Sequence, residues 1–178
     1  MMRIRAATDG DLPQLTELYN HYILHTSATF DLEPFTVERR RAEWFSQYSE
    51  SGPHRVLVAE DDDGQILGKA YSGPLHRKAA YASSVELSVY CRDGETARGI
   101  GPMLVQALIQ ELQQVEGLHQ LFALITLPNE PSEKAIQRLG FTRCGIWREA
   151  GYKFGKYWDV AFWQRPLLLD SDESGGTL

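Results

Sequence analysis

The feature that most restricts the fold is a change of period near the middle of the chain. Val85-Glu86-Leu87-Ser88-Val89-Tyr90 alternates apolar and polar side chains, and Thr96-Ala97-Arg98-Gly99-Ile100-Gly101 then opens a run in which Leu104, Leu108, Leu112 and Val115 recur every three or four residues. A period of two belongs to a strand and one near 3.6 to a helix, so a strand must pass through a glycine turn into an amphipathic helix. Pro102 suits a first helical position. Glycines let the backbone approach a ligand closely, and the helix start offers unpaired N–H groups and a positive dipole end to an anion. A pyrophosphate would sit there, although on spacing alone the turn equally admits a plain connection, because short glycine motifs are weak signals.

The flanking sequence supplies the rest of a sheet. Met2 to Ala6 reads as a short strand. Thr8-Asp9-Gly10-Asp11 offers capping side chains before Leu12, Leu15, Leu18, Tyr19 and Tyr22, which share one helical face. Thr36 predicts the start of a second helix, Val37 to about Tyr48, with Trp44 and Phe45 on its buried side, ended by Ser51-Gly52-Pro53. His54 to Glu60 and Ile66 to Ser72 flank Asp61-Asp62-Asp63-Gly64 as an antiparallel hairpin, followed by a long strand from about Ser83 to Cys91. Leu121-Phe122-Ala123-Leu124-Ile125 is continuously apolar, which predicts a strand buried on both faces in the middle of the sheet. A helix from about Glu130 to Leu139 and strands around Phe141 to Glu149 and Tyr157 to Gln164 complete the order β-α-α-β-β-β-α-β-α-β-β. That order predicts one mixed α+β domain over residues 1–168, with an acidic, Gly/Ser-rich tail at 169–178 expected to be disordered.

Composition narrows the chemistry. A net charge of −6 argues against a large phosphate-binding face for nucleic acid. The two cysteines, Cys91 and Cys144, have no metal-ligand or disulfide-framework spacing, and His21, His25, His54 and His119 show no ligand spacing either, so no metal is expected. No window approaches the roughly 20 apolar residues of a spanning helix, and a cytoplasmic protein without membrane partner is expected. The turn lacks the third glycine of G-x-G-x-x-G and the Gly-Lys-Ser/Thr of a P-loop, which excludes the commonest nucleotide motifs.

The segment Val85 through Gly101 resembles the acetyl-CoA segment of the GNAT superfamily of N-acetyltransferases, and the likeness continues in Asn129-x-x-Ser132 and Leu139-Gly140-Phe141. It covers nearly the whole chain, from Tyr19-Asn20 and Thr29-Phe30 through Tyr71-x-Gly73-Pro74 and Ala80-Tyr81 to Gly151-Tyr152-Lys153-Phe154-Gly155. Within that superfamily, Val-Glu-x-Ser-Val-Tyr combined with Gly-Tyr-Lys-x-Gly is similar to the phosphinothricin and methionine sulfoximine acetyltransferases. The resemblance implies a mostly antiparallel sheet with splayed middle strands and about four helices. It also implies acetyl-CoA as co-substrate, a small amine as acceptor, and a homodimer.

It further implies roles residue by residue. Main-chain groups of Leu87, Ser88 and Val89 would pair with the pantetheine amides, Thr96, Ala97, Arg98, Gly99, Ile100 and Gly101 would cradle the pyrophosphate, and Asn129 and Ser132 would contact the cofactor further along. Thr96 replaces the family's usual Arg or Gln, removing one side-chain phosphate contact, and Arg98 stands beside it to compensate. Glu86 matches the family's general base, and a base is needed because an alkyl ammonium keeps its proton until about pH 10. Without the family context, Glu86 reads as a solvent-facing strand residue. The segment Leu75-His76-Arg77-Lys78 lies where related enzymes hold an anionic substrate, with His76 and Lys78 replacing arginines. Phe30, Tyr81 and Val85 complete the expected acceptor pocket. Ile136 occupies the position of the family's usual tyrosine acid, so no protein general acid is assigned. Two alternatives stay open: acetylation of another amine, such as a protein N-terminus or a polyamine, and a non-catalytic acyl-CoA-binding module.

Overall fold

A computed structural model describes residues 2–95 and 98–168. The expected tail at 169–178, together with Thr96 and Ala97, lies outside the described residues. The chain forms β1 (Arg3–Ala6), α1 (Leu12–His25), α2 (Val37–Glu43), β2 (Val56–Glu60), β3 (Ile66–Pro74), β4 (Ser84–Cys91), α3 (Ile100–Leu112), β5 (Gln120–Thr126), α4 (Glu130–Arg138), β6 (Thr142–Lys153) and β7 (Lys156–Pro166). The seven strands form one sheet in the order β1-β2-β3-β4-β5-β7-β6. Among the described residues β4 and β5 run parallel, joined by a crossover helix, and every other neighbouring pair is antiparallel.

Two layers of helices cover the sheet. The apolar stripe of α3, Ile100, Leu104, Leu108, Ile109 and Leu112, packs with Val85, Leu87, Leu121 and Ala123 in the largest core. Each such side chain contributes roughly 1.5–3 kcal/mol by burial, which holds the start of α3 firmly against the end of β4. On the opposite face, Leu12 and Leu15 of α1 meet Trp44, Val58 and Ile66, while Leu18, Tyr19 and Ile23 pack on Tyr90.

Two expectations are corrected. The second helix ends at Glu43, because Trp44 leaves the helical region (φ −124°, ψ −60°), and Phe45–Gln47 form only a 3-10 turn. Trp44 then places its ring beside Tyr48 and Tyr71, with centroids at 5.0 and 5.3 Å. Strand β5 is interior to the sheet but buried on one face only: Leu121, Ala123 and Ile125 are buried, whereas Leu124 is 39% exposed. Its apolar run does not mark a doubly covered strand; the second face borders an open cleft.

Candidate active site

The cleft is visible in the register. Strands β4 and β5 pair only through Ser84↔Gln120, Val85↔Leu121 and Glu86↔Phe122. Beyond Glu86 the two strands separate, although β4 stays paired to β3 as far as Cys91 and β5 to β7 as far as Thr126. The inner edges of Leu87–Cys91 and Ala123–Thr126 therefore face one another without closing a ladder. Main-chain N–H and C=O groups inside a sheet require partners, so a gap in mid-sheet calls for a ligand or water carrying both donors and acceptors. Val89, on the face otherwise filled by α3, is 39% exposed because it borders this gap.

The start of α3 lies at the end of the same gap. Gly99 adopts a left-handed conformation (φ 73°, ψ 16°), and among the described residues no side chain caps the helix, which leaves the N–H groups of its first turn to an anion. Gly101 is buried, with room for a Cβ only at contact distance from Cys91 Sγ and Val89 Cγ2, at 3.6 and 3.7 Å. Arg98, expected to compensate for Thr96, is exposed and gives Nη1 to Glu95 at 2.7 Å. Asn129 caps α4, accepting the Ser132 N–H at 3.3 Å through Oδ1, so its carboxamide nitrogen remains available to a cofactor.

Alternation along β4 sends Val85 and Leu87 into the α3 core and Glu86, Ser88 and Tyr90 to the α1 side. Val85 is fully buried against α3 and still pairs with Leu121 in the β4–β5 ladder, so its side chain points away from the Glu86 face. Glu86 is half-buried and has no hydrogen bond or ion pair among the described residues. Burial raises its pKa above the ordinary carboxylate value, which makes it a better base once ionised. Tyr71 of β3 pairs with Ser88 and stacks its ring on that of Tyr90, with centroids 6.3 Å apart. Burial pushes the Cys91 thiol up to about 11, so it stays protonated and is a poor nucleophile.

The segment leading into β4 organises itself around His76, whose Nδ1 accepts the Lys78 N–H at 3.2 Å and whose ring lies 4.9 Å from that of Tyr81. His76, Lys78 and Tyr81 are exposed and Leu75 half-buried, so the positive groups of this loop are available to a ligand. Phe30 lies elsewhere, on the α1–α2 connection, with its ring against Gly151 of β6. The structure thus brings Glu86 and the α3 start to the two ends of one cleft, and flanks it with two separate loops.

Sequence reasoning missed a buried cationic cluster behind the cleft. Lys69 is fully buried and its Nζ lies 4.5 Å from the Trp44 ring centroid and 4.7 Å from that of Tyr19. Arg40 is 4% exposed and stacks on the same two rings at 4.0 and 4.1 Å. The helical spacing Val37, Arg40, Trp44 carried the signal for Arg40. Lys69 gave none, since it interrupts an apolar strand as a surface lysine would.

A sheet opened between parallel neighbours, beside an uncapped helix start and a half-buried carboxylate, is the architecture of an acyl-CoA-dependent transferase. The sequence profile of the acetyltransferase (GNAT) domain matches residues 4–162. The chain is 48% identical over 167 residues to the phosphinothricin N-acetyltransferase of Streptomyces coelicolor, covering 93% of this chain and 96% of that one. It is 37% identical over 171 residues to the L-methionine sulfoximine/L-methionine sulfone acetyltransferase of Pseudomonas paraeruginosa, covering 96% of each. Among solved structures it is similar to a phosphinothricin acetyltransferase from Sinorhizobium meliloti in complex with acetyl-CoA, with TM-score 0.86, 30% identity, and 93% and 88% of the two chains covered. The chain belongs to the GNAT family of acetyltransferases.

Proposed function

We propose that this enzyme transfers the acetyl group of acetyl-CoA to the primary amino group of a small amino-acid-like substrate of the phosphinothricin and methionine sulfoximine type. The observation that carries this reading is the separation of β4 from β5 immediately beyond Glu86. A pantetheine arm is extended and carries two amides, which suits the open main-chain edge of Leu87, Ser88 and Val89. The first turn of α3 at Gly99, Ile100 and Gly101 suits the pyrophosphate, with Asn129 and Ser132 bordering the same side. When bound, acetyl-CoA supplies an activated acyl carbonyl.

This chain's residues do the remaining work. Glu86 accepts the proton of the acceptor ammonium, directly or through one water, exposing the lone pair that attacks. Such a base contributes roughly 10²–10⁴-fold, and alignment of the amine can contribute as much or more. Direct attack is favoured over an acetyl-cysteine route because Cys91, the thiol nearest the cleft, is held protonated. Leu75, His76, Lys78, Tyr81 and Phe30 form the acceptor side, where the basic loop favours an amino-acid carboxylate over a polyamine.

A homodimer is part of the proposal. Tyr152, Phe154 and Tyr157 are 58%, 55% and 63% exposed on adjoining positions of the β6–β7 hairpin, an apolar surface suited to a second copy. The proposal places the reaction in the cytoplasm, where acetyl-CoA is made, with no nucleic-acid or membrane partner. Among the described residues no helix is long and apolar enough to cross a membrane, and no group of three or more His, Cys, Asp or Glu could hold a metal. The test is thiol release from acetyl-CoA against phosphinothricin, methionine sulfoximine, methionine sulfone, a panel of amino acids and spermidine. Release with the first three at saturable rates supports the reading; release with spermidine alone, or with none, refutes it.

A further inference from the structure

The two arms of the open sheet are bridged on the α1 side by a strap. Helix α1 is tied to the β4 arm, where the Tyr22 hydroxyl donates to Cys91 O at 2.6 Å and Tyr19 packs edge-on against Tyr90. The β6–β7 hairpin belongs to the β5 arm through the β5–β7 ladder. Between them runs the connection 26–36. Its far end is held by Asn20, whose side chain bonds both the N–H and the C=O of Phe35, at 2.9 and 2.8 Å.

The near end is held by the hairpin. Lys153 Nζ donates to Thr29 O at 2.7 Å, with both residues buried. The Thr29 hydroxyl bonds Tyr19 Oη at 2.8 Å, and that phenol donates to Asp31 Oδ2 at 2.6 Å. Phe30 then packs against Gly151, so closely that a Cβ there would fall 2.1 Å from the ring. Lys153 Nζ also lies 5.1 Å from the Phe154 ring centroid and is favoured by the charge of Asp31, yet burial still lowers its pKa, so its desolvation is only partly offset. Its presence at this junction needs a reason beyond stability.

We propose that Lys153 is a positioning residue that latches the strap 26–36 across the cleft, with Phe30 against Gly151 as the second contact of the latch. This rests on the acetyltransferase reading for its substrate, but not for the latch itself. Loss of the Lys153–Thr29 bond frees the strap at one end while leaving the acetyl-CoA edge of β4 untouched. Occupancy of the strap's closed position then falls, and the Michaelis constant for the amine rises with it, whereas the catalytic step in the closed complex is unchanged. A hydrogen bond of a charged donor is worth about 1.5–3 kcal/mol, so the expected rise is roughly tenfold or more.

The experiment compares Lys153→Met, Lys153→Arg and Gly151→Ala with the parent enzyme. Hydrogen exchange is followed at amides 26–36, and kcat and KM are measured for an alanine-sized and a methionine-sulfone-sized amine. Lys153→Met should speed exchange across the strap by about tenfold with β4 and α3 unchanged, and raise the amine KM by a similar factor with kcat and the acetyl-CoA KM within about twofold. Lys153→Arg should restore both readouts, and Gly151→Ala, which displaces Phe30, should speed strap exchange and raise the amine KM as Lys153→Met does. Unaltered strap exchange in Lys153→Met, or an equal loss of kcat for both amines, would overturn the latch. If the parent enzyme acetylates neither amine, the functional reading fails and the exchange data alone decide the latch.

Discussion

Lys69→Met should make the protein more stable. Lys69 is fully buried among four aromatic rings: Nζ lies 4.5 to 5.7 Å from the centroids of Trp44, Tyr19, Tyr90 and Tyr71 and has no hydrogen-bond partner among the described residues. Burial, with Arg40 beside it, drives the amine well below its ordinary pKa, so folding must strip its proton or bury the charge. An unsatisfied buried polar group costs about 1–3 kcal/mol, and apolar replacements of buried charged groups are stabilising by about 1–4 kcal/mol in favourable cases. Cation–π attraction returns about 0.5–2 kcal/mol only while the amine is charged. Methionine has similar length and keeps the ring contacts, so a net gain of about 1–3 kcal/mol is expected. For a chain of this length that is roughly 2–4 °C in Tm per kcal/mol.

The pH dependence gives an independent check. A lysine whose pKa is depressed on folding binds fewer protons folded than unfolded, so the parent protein gains stability as pH rises toward the unfolded lysine value of about 10.4. The advantage of Lys69→Met should therefore shrink in alkali. Urea unfolding followed by tryptophan fluorescence at two or three pH values measures both effects. A variant less stable than the parent by more than about 1 kcal/mol would show that Lys69 has a buried acceptor, and would refute the reasoning.

Two further predictions concern the cleft. Gly99→Ala meets no atom of the described residues within 4 Å, so its expected effect is backbone strain at φ 73°, about 1–2 kcal/mol, and it should appear as a raised acetyl-CoA KM with the amine KM unchanged. Asn129→Ala removes the cap of α4 and should lower stability by about 1 kcal/mol, measurable by thermal unfolding.

Much of the architecture is legible from periodicity alone. The β4–turn–α3 unit is marked by the change of period at Gly99, and all eleven elements appear in the expected order. What periodicity does not carry is the separation of two paired strands. Residues 121–125 read as a doubly buried strand because every side chain is apolar, whereas Phe122 and Leu124 border the cleft. Nor does periodicity reveal where loops meet: Phe30 and Gly151 are 121 positions apart, and only tertiary packing brings them together. Glu86 illustrates the division. Alternation gives its face, the family resemblance suggests its role, and burial supplies its raised pKa.

The most direct measurement is the pH dependence of kcat for the parent enzyme and for Glu86→Gln, with acetyl-CoA and amine both saturating. The parent rate should fall on acidification through a pKa above the ordinary carboxylate value of about 4.3, because the working form is ionised. Glu86→Gln should lower kcat at neutral pH by roughly 10²–10⁴-fold, abolish that acidic limb, and leave acetyl-CoA affinity intact. An unchanged kcat with the acidic limb preserved would contradict the assignment of the proton to Glu86.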